Sequence, residues 1–306
     1  MELSAKTKYP SKGLVIAAFA AVYIIWGSTY VAIALSIKSV PPFLMAGLRF
    51  FAAGIILFIW CIARGEKVPD IISILKNSLA GFLMLFCGTT ALIWSEQYLP
   101  SGLAAIVVAS VPLWFILFDK QHWAKNFSDK FIIVGLLLGF IGIILLFDGK
   151  SSLSIDNALQ VKGFFVLLIG SMLWSVGSLY SKYAVSSGST SMKASIQMMA
   201  AGIGGFIAML LAGEPHHFSW SQVTMSSIYA MLYLVFFGSL IGYIAYVWLL
   251  SVRSAAIVGT YAYVNPVVAM FLGWLLDSES ISWIQIIALA IILCGVLLVN
   301  LSKYKK

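Results

Sequence analysis

Formal charge is scarce in these 306 residues: 19 Lys and Arg, 11 Asp and Glu, only 10% of positions in all. Water cannot solvate a surface with so few charges, so the medium for most of this chain is lipid. The three cysteines, Cys61, Cys87 and Cys294, lie apart in hydrophobic stretches, which gives neither a disulfide framework nor the spacing of a zinc site. The three histidines, His122, His216 and His217, sit in or beside loops without partner ligands, so no metal and no other cofactor is expected. No G-x-x-x-x-G-K-[ST] loop occurs, nor a soluble domain to hold one, which disfavours an ATP-driven machine. Acidic residues are scattered and the histidines lie near the aqueous faces, so the paired groups of an intramembrane enzyme are missing as well.

What is present is apolar: 61% of the residues, with a mean hydropathy of +1.01. Ten runs of about 20 residues stand out, near 13–35, 42–63, 75–95, 101–119, 130–147, 161–183, 193–212, 224–249, 256–276 and 282–301. At 1.5 Å rise per residue a helix of that length crosses a hydrocarbon layer of roughly 30 Å. The runs are continuous rather than alternating, which favours helices over barrel strands and predicts an all-α integral membrane protein. Lys6, Lys8 and Lys12 before the first run imitate a signal peptide, but the run continues past Trp26 and Tyr30 without a small-residue cleavage site. A retained first span is expected.

With ten spans, the ends of the chain and the even-to-odd loops share one side. That side collects Lys6, Lys8, Lys12, Arg64, Lys67, Lys76, Lys120, Lys125, Lys130, Lys182, Lys193, Arg253, Lys303, Lys305 and Lys306, against Lys38, Lys150 and Lys162 on the other. Fifteen against three places both termini in the cytoplasm by the positive-inside rule. The net charge of +8 is therefore a topology signal, and its dispersal over short loops argues against nucleic acid as a partner.

The chain also repeats itself. Leu48-Arg49-Phe50-Phe51-Ala52-Ala53-Gly54-Ile55 returns as Ile196-Gln197-Met198-Met199-Ala200-Ala201-Gly202-Ile203, a shift of 148 that also carries Trp26 onto Trp174. Ala104-Ala105-Ile106-Val107 returns as Ala255-Ala256-Ile257-Val258 and Pro112 as Pro266, at shifts of 151 and 154. Five spans per copy is an odd number, so the second copy runs upside down, an arrangement common in secondary transporters with a site near the midplane.

Candidate functional residues are those too polar, or too disruptive of helix, for lipid. Arg49 lies inside the second span, where it either snorkels or pins helices, or binds an anion or gates a cavity. Its repeat mate is the uncharged Gln197. Glu96, beside Gln97, ends the third span and is a plausible partner for Arg49; it is either an interfacial carboxylate or a buried one that carries a proton. Pro112 and Pro266 interrupt the fourth and ninth spans, each freeing a carbonyl one turn earlier, and Asn265, Tyr261 and Tyr263 lie close by. Trp26, Ser28, Thr29 and Tyr30 in the first span are echoed by Trp174 and Ser178 in the sixth, too deep for an interfacial belt. Gly135, Gly139 and Gly142 form a helix-packing face.

Tyr23-Ile24-Ile25-Trp26-Gly27-Ser28-Thr29-Tyr30, Pro41-Pro42, Arg49-Phe50, Trp94-Ser95-Glu96-Gln97-Tyr98-Leu99-Pro100-Ser101-Gly102-Leu103 and Ala262-Tyr263-Val264-Asn265-Pro266-Val267 together resemble the EamA-type permeases of the drug/metabolite transporter superfamily, closest to the bacterial YedA-like subgroup. The resemblance implies two inverted five-helix repeats, here 13–147 and 161–301, with helices one to four and six to nine around a central cavity and five and ten outside. On that template Trp26, Arg49, Glu96, Trp174, Gln197 and Tyr263 become cavity or gate residues. The chain departs from it after the fourth span, where Lys125-Asn126 replaces a frequent Gly-Glu, while the second half keeps Glu279 after Ser278. The expected function is export of small metabolites, amino acids or amphipathic compounds, across the cell membrane by alternating access, as a monomer or homodimer. Expected partners are a small-molecule substrate, membrane lipid and, through Glu96, protons. A non-transporting scaffold or sensor is the alternative. Reporter fusions at the two ends should both read as cytoplasmic; a periplasmic carboxyl terminus would remove the inverted-repeat argument.

Overall fold

A computed structural model describes residues 11–145, 157–216 and 218–304. Lys6, Lys8, Lys150, His217, Lys305, Lys306 and the end of the fifth run at 146–147 lie outside the described residues. Among those described there is no strand, and helix covers each of the ten runs. The helices are α1 (Lys12–Ile37), α2 (Pro42–Ala63), α3 (Ile71–Ser95), α4 (Ser101–Phe118), α5 (Lys130–Leu145), α6 (Ala158–Tyr183), α7 (Thr190–Leu211), α8 (Met225–Val252), α9 (Tyr261–Asp277) and α10 (Trp283–Tyr304). Seven of them, α1 to α4 and α6 to α8, are long and apolar enough to cross a membrane. The apolar stretches Lys130–Leu145 of α5 and Trp283–Leu298 of α10 fall short of that length, and α9 is preceded by a separate turn, Ala255–Val258.

Local chemistry sets the helix starts. Ser11, Asp70, Asn157, Ser189 and Thr224 each accept a hydrogen bond from a first-turn amide, satisfying donors that have no partner within the helix. Pro42 opens α2 at a position where its missing N–H costs nothing. Asp70 does more than cap: Ser187 donates to it as well, and Ser73 N–H together with the Ser187 and Ser73 hydroxyls holds its carboxyl down to about 2. That ties the start of α3 to the loop before α7.

Packing follows one pattern in both halves. α1 lies against α8 and α9 as α6 lies against α3 and α4; α2 meets α8 as α7 meets α3; and α2 with α7, α4 with α9 and α5 with α10 pair directly. Glycine makes the tightest of these contacts. A β-carbon on Gly202 would sit 2.5 Å from the Phe51 nitrogen, and one on Gly205 would sit 2.7 Å from the Gly47 nitrogen, so α2 and α7 touch backbone to backbone. Gly139 and Gly142 serve as the packing face expected of them, against Leu113 of α4 and Ile292 of α10. Without a hydrophobic effect between helices in lipid, such close van der Waals contact is what holds them together.

The proline reading needs correction. The fourth and ninth runs do break, at Ala109-Ser110 and Gly259-Thr260, but Pro266 sits inside the continuous helix α9, several residues past the break. The breaks lie 150 residues apart, and the same local bond stabilises each: Ser110 Oγ donates to Val107 O at 2.7 Å and Thr260 Oγ1 to Ile257 O at 2.6 Å. A hydroxyl competing for a helical carbonyl, rather than the proline ring alone, accompanies the interruption. Gly202→Ala should lower stability by about 1–3 kcal/mol through overpacking against α2. Gly13→Ala, which meets nothing within 4 Å, should not; equal melting temperatures for the two variants in detergent would contradict this account.

Candidate functional site

The site is built where α3 and α8 widen. Phe82–Thr90 and Leu234–Tyr243 are π-helical, so a residue is added per turn and the helix bulges; Thr90 Oγ1 reaches back five residues to Leu85 O at 3.3 Å. The two bulges present Gly88 and Thr89 from one side and Gly238 and Ser239 from the other. A cavity of about 70 Å³ lies between them. At roughly 10–15 Å³ per water centre it has room for several waters or a small organic group.

Of the residues singled out from sequence, Trp26, Thr29, Tyr30, Arg49, Trp174 and Asn265 line this cavity. Trp26 is held by donating to Gly238 O at 3.1 Å, a carbonyl within the π bulge. Trp26, Trp174, Tyr246 and Tyr261 form a cluster with ring centroids 4.9 to 5.8 Å apart, mostly edge-on or tilted. Asn265, with its amide nitrogen turned to satisfy both neighbours, donates to the carbonyls of Tyr23 and Tyr261 at 3.1 Å each.

Arg49 enters from α2 and is buried, only 4% exposed. Its Nε donates to Ser239 Oγ at 3.0 Å, its guanidinium lies 4.9 Å from the Phe50 ring centre, and Nη1 has no hydrogen-bond partner in the protein. The absence of a side chain at Gly238 makes room for it, since a β-carbon there would come within 2.9 Å of Nη2.

The remaining candidates lie elsewhere. Glu96 and Gln97 line a second cavity of about 510 Å³, together with Lys38, Gln160, Asp277 and Glu279. Both Glu96 oxygens are buried without a hydrogen-bond partner, and no ion pair joins Glu96 to Arg49, which is held by Ser239 instead. Ser28 bonds Tyr233 at 2.6 Å, Ser178 bonds Tyr246 at 2.7 Å, and Tyr263 reaches Val296 O at 3.4 Å. Pro112 and Pro266 are buried in their helices. Gln197 is fully buried in a network: its amide nitrogen donates to Ser181 at 3.1 Å and Asn77 at 3.3 Å, and it accepts from Tyr243 at 2.7 Å.

Gly88, Thr89, Gly238, Ser239, Tyr243 and Tyr246 were not singled out from sequence. A signal for four of them was there: Gly88-Thr89 returns as Gly238-Ser239 at a shift of 150, inside the drift already seen between copies.

Ties close both ends of the bundle. At the end where α2 and α4 begin, Glu214 accepts from the Phe43 and Leu44 amides at 3.0 and 2.8 Å, and Glu279 from the Ser101 and Gly102 amides at 2.7 and 3.1 Å. Lys38 pairs with Asp277 there. Burial raises the Glu214 carboxyl above its ordinary range, while the two amides pull it back. At the opposite end Lys182 donates to Leu250 O and Arg253 O, both at 2.7 Å, where α8 runs out of helical partners. Carboxylates thus sit on helix starts at one end and an ammonium on a helix end at the other, each matched to the helix dipole it meets.

The profile of the EamA-like transporter family matches residues 12–148 and 161–301. The "Uncharacterized inner membrane transporter YedA" of Escherichia coli strain K12 is 41% identical over 286 residues, covering 93% of this chain and 90% of that protein. A "Probable amino-acid metabolite efflux pump" of the same strain is 26% identical, covering 90% of each. The "Uncharacterized transporter YoaV" of Bacillus subtilis strain 168 is 24% identical over 90% of this chain and 92% of that one. A crystal structure that is 19% identical superposes with a TM-score of 0.66 over 94% of this chain and 98% of its own, a likeness of fold alone.

Gly238→Ala places its new methyl against the Arg49 head group and the Thr29 methyl rather than against backbone. Stability should change by less than about 1 kcal/mol, while transport should fall about tenfold as the guanidinium is displaced. Undiminished transport would show that the head-group position of Arg49 is immaterial.

Proposed function

The chain belongs to the EamA-like transporter family and is a membrane transporter, and on that premise we propose that it exports small metabolites, amino acids or amphipathic compounds, by alternating access. In this reading the two family segments are inverted five-helix repeats spanning the inner or plasma membrane, with both termini in the cytoplasm. The observation that carries it is the placement of the cavity. Its wall draws on α1, α2, α3 and α4 from one half and α6, α8 and α9 from the other, so a rocking of one half against the other must reshape it.

The packing pattern supports the same reading, because exchanging each helix of the first half with its counterpart in the second leaves the main helix pairings in place. So does the character of the ties at the two ends. A hydrogen bond to a charged group contributes about 1.5–3 kcal/mol, which is within what differential substrate binding can offset when it shifts a two-state equilibrium. Opening one end breaks the Glu214, Glu279 and Lys38 ties; opening the other releases Lys182 and parts the aromatic cluster around Trp26.

Glu96 is the proposed coupling group. It is a buried carboxylate, 8% exposed, with both oxygens unpartnered at the edge of the larger cavity. A proton taken there discharges a carboxylate that is in no ion pair among the described residues, and releasing that proton to the opposite side would drive substrate the other way. In proteoliposomes Glu96→Gln should abolish flux driven by a pH gradient while sparing exchange. Gradient-driven transport that survives the substitution would exclude Glu96 as the proton site.

A further inference from the structure

The central cavity carries one charge that is in no ion pair among the described residues. Arg49 is its only lining residue ionised at neutral pH, and no Asp or Glu lines it. Among the described residues the ion pairs are Lys38 with Asp277 and His122 with Asp119, so Arg49 has no carboxylate within pairing distance. Glu96 acts on it through space and lies in the other cavity.

An isolated charge out of water carries a penalty of several kcal/mol. A residue that merely pinned helices would be expected to use all its donors, since a buried donor without a partner costs more than the bond would have given. Here the guanidinium is fixed by Ser239, by the Phe50 ring and by the gap at Gly238, and Nε is the one donor of the head group that the protein satisfies. A fixed cation with a spare donor in a place of low dielectric is a preorganised anion site. The rest of the wall is uncharged: Thr29, Thr89, Ser171, Ser239 and Asn265 offer polar groups, and Ile33, Leu85 and Leu167 lie with the Trp26 and Trp174 rings on the apolar part. A substrate ammonium would find no carboxylate there.

We propose that the transported compound is a small organic carboxylate with an apolar body, its carboxylate paired with Arg49 and its body against Trp26 and Trp174. This rests on the transport reading above and narrows it, setting carboxylates ahead of amines and neutral compounds of the same shape.

Three probes of one skeleton decide it: 3-methylbutanoate, its amide, and the corresponding amine. Binding to the purified full-length protein is followed by thermal shift and titration calorimetry, and flux in proteoliposomes. The acid should stabilise the protein and the other two should not. Arg49→Gln should weaken acid binding by about 30-fold or more, as losing one member of a buried charge pair does. Arg49→Lys should recover part of it, keeping the charge but not the planar fork. The comparison of the three probes on the unaltered protein decides the matter even where Arg49→Gln does not fold. Binding of the amide or amine as strong as that of the acid, absence of acid binding, or acid binding unchanged in Arg49→Gln would overturn the proposal. Flux of the amine or amide in place of the acid would leave transport standing and remove the carboxylate. Acid bound through Arg49 but never carried would do the reverse.

Discussion

The constraint on which the rest of this structure depends is the burial of a guanidinium in a bundle that has almost no other charge to spend on it. In lipid, an ionised group must find partners inside the protein or a polar cavity to face. Arg49 does both in part: Ser239 takes Nε, and the residue lines the cavity. Holding it there requires helices that approach closely around it yet leave a hollow. Glycines at the α2–α7 contact supply the approach, and the π-helical bulges of α3 and α8 supply the hollow. Each bulge also loosens the backbone's own hydrogen bonding where a small residue sits, so that a carbonyl such as that of Gly238 is free to receive Trp26.

Much of the architecture was legible because lipid narrows the options. Continuous apolar runs in lipid can only be helices, and all ten runs are helical where described. The packing role of Gly139 and Gly142 was readable for the same reason, since few residues let two backbones meet. The cavity was only half legible. Trp26, Thr29, Tyr30, Arg49, Trp174 and Asn265 stand out as polar or aromatic groups deep in apolar runs, and the fold does bring them together.

Sequence could not show the π bulges, whose cause is a change of helical period that hydropathy does not register. It therefore missed Gly238 and Ser239, without which Arg49 has neither room nor a partner. Pro112 does open the helix that follows its break, but Pro266 misled for a related reason. A proline marks a missing donor, but where a helix opens depends on which hydroxyl captures a carbonyl, and here Ser110 and Thr260 do so. Glu214 and Glu279 went unread as ties because their partners are backbone amides at the starts of helices distant in sequence.

The mismatch between the two copies at Arg49 and Gln197 takes on physical content from these positions. Both residues sit on the paired helices α2 and α7, and both are buried. Gln197 spends both ends of its amide on Asn77, Ser181 and Tyr243, joining α3, α6 and α8 into a unit with α7. Arg49 spends only Nε on α8, and the residue lines the cavity. A charged residue at both positions would bury a second cation at Gln197, among Asn77, Ser181 and Tyr243, where no carboxylate meets it. An amide at both would leave the hollow without any charge to select a ligand. One copy therefore closes its network and becomes framework, and the other leaves its network open. Duplication accounts for the frame, and the point where the duplicates differ chemically is where the frame can recognise something outside itself.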